Sequence, residues 1–181
     1  MELTDEDYIR KTLKLAEQAR GNTSPNPLVG ALIGKNNEII AEAYHEKSGQ
    51  DHAEIIAIKK ASHACKDAVL YINLEPCCHY GKTPPCVKAI IEAGFKKVVI
   101  GCKDENEKVN GKSIEILKQA GIEVIEGVLE EECREFNKFF FYWIKTGLPY
   151  VSLKIASSLN GKVNRNKDLE ERINWISNEK A

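Results

Sequence analysis

Three short segments limit what this chain can fold into. They are His52-Ala53-Glu54, Glu75-Pro76-Cys77 and Pro84-Pro85-Cys86. Imidazole and thiolate are the ligands zinc prefers, and His52, Cys77 and Cys86 supply three of them. Three protein ligands leave a fourth position open for water, the arrangement of catalytic rather than structural zinc. Glu54 follows the histidine by two residues, close enough to work on that water without binding the metal. A structural site would want a fourth Cys or His. Cys78 and His79 offer one, but each adjoins Cys77, a poor position for reaching the same ion. Any fold of this chain has to carry these distant segments to one point.

Composition narrows the setting. At 181 residues the chain suits one domain with at most a short appendage. Hydrophobic residues make up 43% and charged residues 29%, the balance of an ordinary soluble globule. The net charge of −1 leaves no broad electrostatic footprint for nucleic acid. No apolar run reaches the roughly 18 residues that span a bilayer, so no membrane partner is expected. The acidic, polar start Met-Glu-Leu-Thr-Asp-Glu-Asp argues against a signal peptide, and a cytoplasmic enzyme is expected. In that compartment six cysteines point to metal or catalysis before disulfides. Cys65, Cys102 and Cys133 are expected to be packed thiols, and His63 to be incidental.

Local patterns give the elements. Thr4 is a good N-cap, followed by three acidic residues and an apolar stripe through Tyr8, Ile9, Leu13 and Ala16, with Gly21 as the stop. Residues 28–34 and 38–44 read as strands of a hairpin turning at Lys35-Asn36-Asn37. Residues 52–63 read as a helix burying Ile55, Ile56 and Ala57. Residues 69–74 read as a strand, a helix opens at Pro84-Pro85 and closes at Gly94, and 97–101 is a strand of β-branched residues. A helix over 111–120, a strand over 122–125 and one long helix over 129–145 complete the pattern. Alternating strands and helices imply parallel strands with right-handed crossovers. The expected fold is α/β: a three-layer α/β/α sandwich around a mixed five-stranded sheet. His52 and Glu54 then sit in the first turn of one helix, Cys77 just past a strand, and Cys86 in the first turn of the next helix. Ligands of open α/β sheets gather at that end of the strands.

His-x-Glu followed by Pro-Cys and a further Cys is the layout of zinc nucleoside and nucleobase deaminases. Here the two cysteines are separated by nine positions rather than three. The stretch Leu74-Glu-Pro-Cys-Cys-His-Tyr-Gly-Lys-Thr-Pro-Pro-Cys86 resembles the pyrimidine deaminase of riboflavin biosynthesis, whose two cysteines flank the same long loop. The resemblance covers residues 6–147 and implies a cytidine-deaminase-like fold with one zinc per chain. It implies Cys77, directly after the proline, as ligand, and leaves Cys78 as a small filler. It implies substrate contacts from Asn26, His45, His79 and Lys82. Thr83 stands between a substrate contact and a cap for the helix at Pro84. Asp104 and Asn106 match the family's Asp-Pro-Asn-Pro, but Glu105 and Glu107 replace both prolines, so a less rigid loop is expected.

The implied reaction is hydrolytic deamination of 2,5-diamino-6-(5-phosphoribosylamino)pyrimidin-4(3H)-one to the 5-aminouracil, with Glu54 as proton carrier and Lys82 as the nearest cation for the phosphate. Residues 149–161 resemble the first strand and turn of an NADPH-dependent reductase, with Asn160 where that domain usually has Asp, and Asn174-Trp175-Ile176-Ser177 resembles its next segment. A dinucleotide-binding domain cannot be built from about 30 residues. The expected division is therefore a deaminase domain over 1–147 and a short reductase-like remnant over 148–181, with no use of NADPH. A homo-oligomer and a separate reductase partner both fit this reading. Two alternatives stand beside it. Another zinc deaminase, acting on cytidine, guanine or tRNA adenosine, usually has the short Cys-x-x-Cys spacing. A non-catalytic zinc protein has no use for Glu54.

Overall fold

A computed structural model describes residues 3–80, 84–155, 157 and 161 of the chain. It divides into two compact units, residues 1–149 and 150–181. The expected contacts from Lys82 and Thr83, the substituted Asn160 and the segment 174–177 lie outside the described residues.

The first unit runs α1 (Asp5–Glu17), β1 (Gly30–Lys35), β2 (Glu38–Tyr44), α2 (Ala53–Ala61), β3 (Val69–Leu74), α3 (Cys86–Glu92), β4 (Lys97–Cys102), α4 (Lys112–Gln119), β5 (Glu123–Glu126), α5 (Glu130–Phe136) and α6 (Lys138–Thr146). The strands form one sheet in the order β2-β1-β3-β4-β5. β1 pairs antiparallel with β2 and β3, whereas β3, β4 and β5 run parallel, so the sheet is mixed. Asn36 and Asn37 both take positive φ in the β1–β2 turn, which suits a two-residue hairpin between right-twisted strands.

Strand alternation sorts the core into two layers. Ala31, Ile33, Leu70, Ile72, Val98 and Ile100 face Ala53, Ala57, Val87, Ile90, Ile114 and Leu117 of α2, α3 and α4. Leu32, Tyr71 and Val99 point the other way, toward Tyr8 and Ile9 of α1, Cys133 of α5 and Phe141 of α6. Gly30 permits the α1 contact, since a Cβ there would collide with the Thr12 carbonyl oxygen.

Four expectations change. The strand expected from Leu28 begins at Gly30, because side chains rather than a neighbouring strand occupy the Leu28 backbone. Its N–H donates to Asn137 Oδ1 at 2.8 Å, and its carbonyl accepts from Asn73 Nδ2 at 3.0 Å and Asn137 Nδ2 at 2.9 Å. The same Asn137 interrupts the single helix expected over 129–145. It is buried, with φ −105° and ψ 20°, and the chain continues as two helices. The first helix ends at Glu17, a turn before Gly21, which follows in left-handed conformation. Residues 52–63 hold a shorter helix, α2, with His52 as N-cap rather than in the first turn, and then a 3-10 turn over Ser62–Cys65. Its buried residues are Ala53, Glu54 and Ala57, while Ile55 and Ile56 are only half-buried. The helix is turned so that Glu54 points inward.

Candidate metal and substrate site

The site lies at the carboxyl ends of the parallel strands, where α2 and α3 begin. His52 precedes α2 in extended conformation, which leaves its ring free to turn toward β3. Cys77 follows β3 by three residues, and Cys86 is the first residue of α3 after the N-cap Pro85. His52 Nδ1 lies 3.2 Å from Cys86 Sγ and 3.6 Å from Cys77 Sγ. The donor atoms of His52, Cys77 and Cys86 all fall within 4.8 Å of one another. Zinc bonds of about 2.0–2.1 Å to nitrogen and about 2.3 Å to sulfur, at tetrahedral angles, put nitrogen and sulfur about 3.6 Å apart. The three side chains therefore fit a zinc ion. Cys78 does not join them; its sulfur faces the Lys108 carbonyl oxygen at 3.4 Å.

The electrostatics suit a cation as well. The facing Cys86 sulfur and the His52 ring hold the Cys77 thiol well below its ordinary range, against burial. The Cys86 backbone N–H adds a hydrogen bond to Cys77 Sγ at 3.3 Å. That same sulfur pair, with burial, pushes Cys86 far up. Two sulfurs this close share one negative charge, and a divalent ion lets both be thiolates. His52 is raised chiefly by its contact with Cys77.

Glu54, in the first turn of α2, is 3% exposed. Its Oε2 is buried with no hydrogen-bond partner among the described residues. A carboxyl oxygen left alone in the interior costs about 1–3 kcal/mol, so a partner beyond the described residues is called for. Burial raises its pKa, offset in part by His52.

Glu54 opens onto a cleft of about 320 Å³ that is also lined by His52 and Cys77. The structure brings Asn26, His45, His79, Asp104 and Asn106 to its walls. His45 Nδ1–H donates to the Asp51 carbonyl oxygen at 3.0 Å, which leaves Nε2 to accept from Asn26 Nδ2 at 3.0 Å. That pairing requires the neutral ring, and burial lowers the His45 pKa accordingly. His79 Nδ1 is buried and unpartnered among the described residues. Asp104 is 8% exposed, and burial raises it to about 6.

Sequence reasoning missed two parts of this cleft. One is Glu75. Its carboxylate accepts from the backbone N–H groups of Asp104 at 3.2 Å, Gly111 at 3.0 Å and Ser113 at 3.2 Å. Ser113 Oγ donates in turn to the Pro76 carbonyl oxygen at 2.5 Å. Gly111 caps α4 with no side chain to offer, so the amides at that helix start need an acceptor from elsewhere. A glycine at an N-cap was the available signal. The other part is the wall formed by Phe140, Trp143 and Ile144 of α6. Glu75 ties the start of the loop from Asp104 to the start of α4.

Residues 2–102 match the family model described as the cytidine and deoxycytidylate deaminase zinc-binding region. The chain belongs to that family. It is 48% identical over 179 residues to riboflavin biosynthesis protein RibD of Actinobacillus pleuropneumoniae, covering 99% of this chain and 47% of that protein. Among solved structures, RibD of Acinetobacter baumannii (form 1) superposes with a TM-score of 0.88 at 42% identity, over 96% of this chain and 48% of the other. A Thermotoga maritima protein described as a diaminohydroxyphosphoribosylaminopyrimidine deaminase/5-amino-6-(5-phosphoribosylamino)uracil reductase gives the same TM-score and identity, over 96% and 50%. The sheet and its flanking helices are thus those of the cytidine-deaminase fold. The chain spans about half the length of the curated relatives it matches. No helix among the described residues is long and apolar enough to cross a membrane.

Proposed function

We propose that this chain is a deaminase with one zinc ion per chain, hydrolysing 2,5-diamino-6-(5-phosphoribosylamino)pyrimidin-4(3H)-one to 5-amino-6-(5-phosphoribosylamino)uracil and ammonia. The observation that carries the reading is the buried, unpartnered Glu54 Oε2 beside three donor atoms spaced for zinc. The similarity to RibD proteins over nearly the whole chain supports the substrate.

His52, Cys77 and Cys86 would hold the zinc. Zinc so held supplies a Lewis acid that makes water acidic enough to be a nucleophile near neutral pH. Glu54 Oε2 would take one proton of that water as the water oxygen bonds the amine-bearing ring carbon, and would pass it to the adjacent ring nitrogen. Glu54 would then move the proton left on that oxygen to the amine, so that the C–N bond breaks, ammonia leaves and a ring carbonyl remains. Burial suits Glu54 to this work, because a raised carboxyl pKa gives up and regains a proton more evenly near pH 7. Asn26, His45, His79, Asp104 and Asn106 would supply polar groups around the heterocycle, Lys82 is the cation proposed for the phosphate, and Thr83 stays between a substrate contact and a helix cap.

Ammonia release from the phosphoribosyl pyrimidine, run beside cytidine, tests this reading. Turnover of the pyrimidine alone is expected. Turnover of cytidine alone would replace it with a different deaminase.

A further inference from the structure

Glu105 stands where the resembling family has a proline, between the cleft residues Asp104 and Asn106. Its side chain is only 9% exposed, although it carries a charge. Two cations account for that. Its Oε1 accepts from the Arg134 guanidinium of α5, and its Oε2 lies 2.8 Å from Lys145 Nζ of α6. Arg134 is itself oriented by lying 5.5 Å over the Phe141 ring of α6. One carboxylate therefore joins the loop bearing Asp104 and Asn106 to the two helices behind Phe140, Trp143 and Ile144. Those two groups are the polar and the apolar edge of the same cleft. The Glu75 carboxylate also ties this loop, but through backbone amides of residues 104–113 rather than to α6.

We propose that Glu105 is a positioning residue for substrate binding. Its paired contacts with Arg134 and Lys145 fix the distance between the polar edge and the aromatic edge of the cleft. Which ligand profits rests on the deaminase reading; the clamp itself does not. Both cations are substantially exposed, at 40% and 59%, so the clamp is open to screening by salt.

Glu105→Gln keeps the side-chain shape and removes the charge. For the zinc-loaded full chain, KM for the pyrimidine should rise about fivefold with kcat changed less than about twofold, as expected for loss of partly exposed charge pairs. Raising ionic strength should raise KM of the wild type more steeply than that of the variant, since screening of the substrate phosphate is common to both. Adding Lys145→Met to Glu105→Gln should change KM little further. Backbone hydrogen exchange gives a readout independent of turnover. It should speed up over 104–113 and 138–146 together, and stay unchanged over α2. Lys88→Met, which removes an exposed pair with Glu92 on α3, is the control and should alter neither reading. Wild-type KM and exchange in Glu105→Gln would overturn the proposal. So would faster exchange throughout the chain, which marks a merely structural role. If the wild type releases no ammonia, the deaminase reading fails, and the exchange pattern alone decides the clamp.

Discussion

The zinc corner and the α6 wall border the same cleft but are built by different means. His52, Cys77 and Cys86 sit at a helix start, a strand exit and a second helix start, so local backbone structure delivers all three. Phe140, Trp143 and Ile144 follow the break at Asn137, whose side chain pairs with the backbone of Leu28, 109 residues earlier. Each corner ligand is thus placed by its own local structure, although the three meet across 25 and 34 residues, and the corner is chemically demanding. The wall is long-range in construction and chemically plain. Damage to one should leave the other largely in place.

Breaking the corner should have the largest effect. Cys77→Ser should lose the zinc and all measurable turnover, whereas Cys78→Ser should retain about one zinc per chain by elemental analysis. The reverse result would move the ligand to Cys78. Asp104, at the polar edge between the two regions, should give the next largest effect. Its folded pKa of about 6 exceeds the ordinary value of 3.8, so the folded state binds the extra proton between those limits. Its contribution is therefore full below about pH 4 and is lost as pH rises through 6, by at most about 3 kcal/mol. Asp104→Asn should gain on the wild type by up to that amount across this window, in denaturant titrations of both proteins without zinc. A constant difference would show that Asp104 is not desolvated. The smallest effect should come from the wall's anchor. Asn137→Ala strands the Leu28 N–H and should cost about 2 kcal/mol in unfolding free energy. Zinc content should stay at wild type while KM rises, and loss of zinc would show that the two regions are not separable.

The same contrast explains how much was legible in the sequence. The strands over 38–44 and 69–74 were read with the bounds they have, because each is an uninterrupted apolar or alternating run between turn residues. The metal corner was legible because its residue types are chemically selective. The break at Asn137 was not, because an apolar periodicity continues across it and only a tertiary contact reveals what the amide satisfies. Ile55 and Ile56 were read as buried on apolarity alone, whereas the requirement that Glu54 face the cleft sets the rotation of α2. Glu105 was read as the loss of a stiff residue, and its partners on α5 and α6 are invisible to any local pattern.

The central claim is that Glu54 moves the proton and does not hold the metal. Glu54→Gln, assayed for zinc content and ammonia release on the same sample, tests it directly. The account predicts zinc near one per chain with turnover reduced toward 10⁴-fold, the upper end of the roughly 10² to 10⁴ that a positioned acid/base contributes, since Glu54 serves more than one transfer. Loss of zinc would make Glu54 a ligand, and near-normal turnover would mean another group carries the proton; either result contradicts the account.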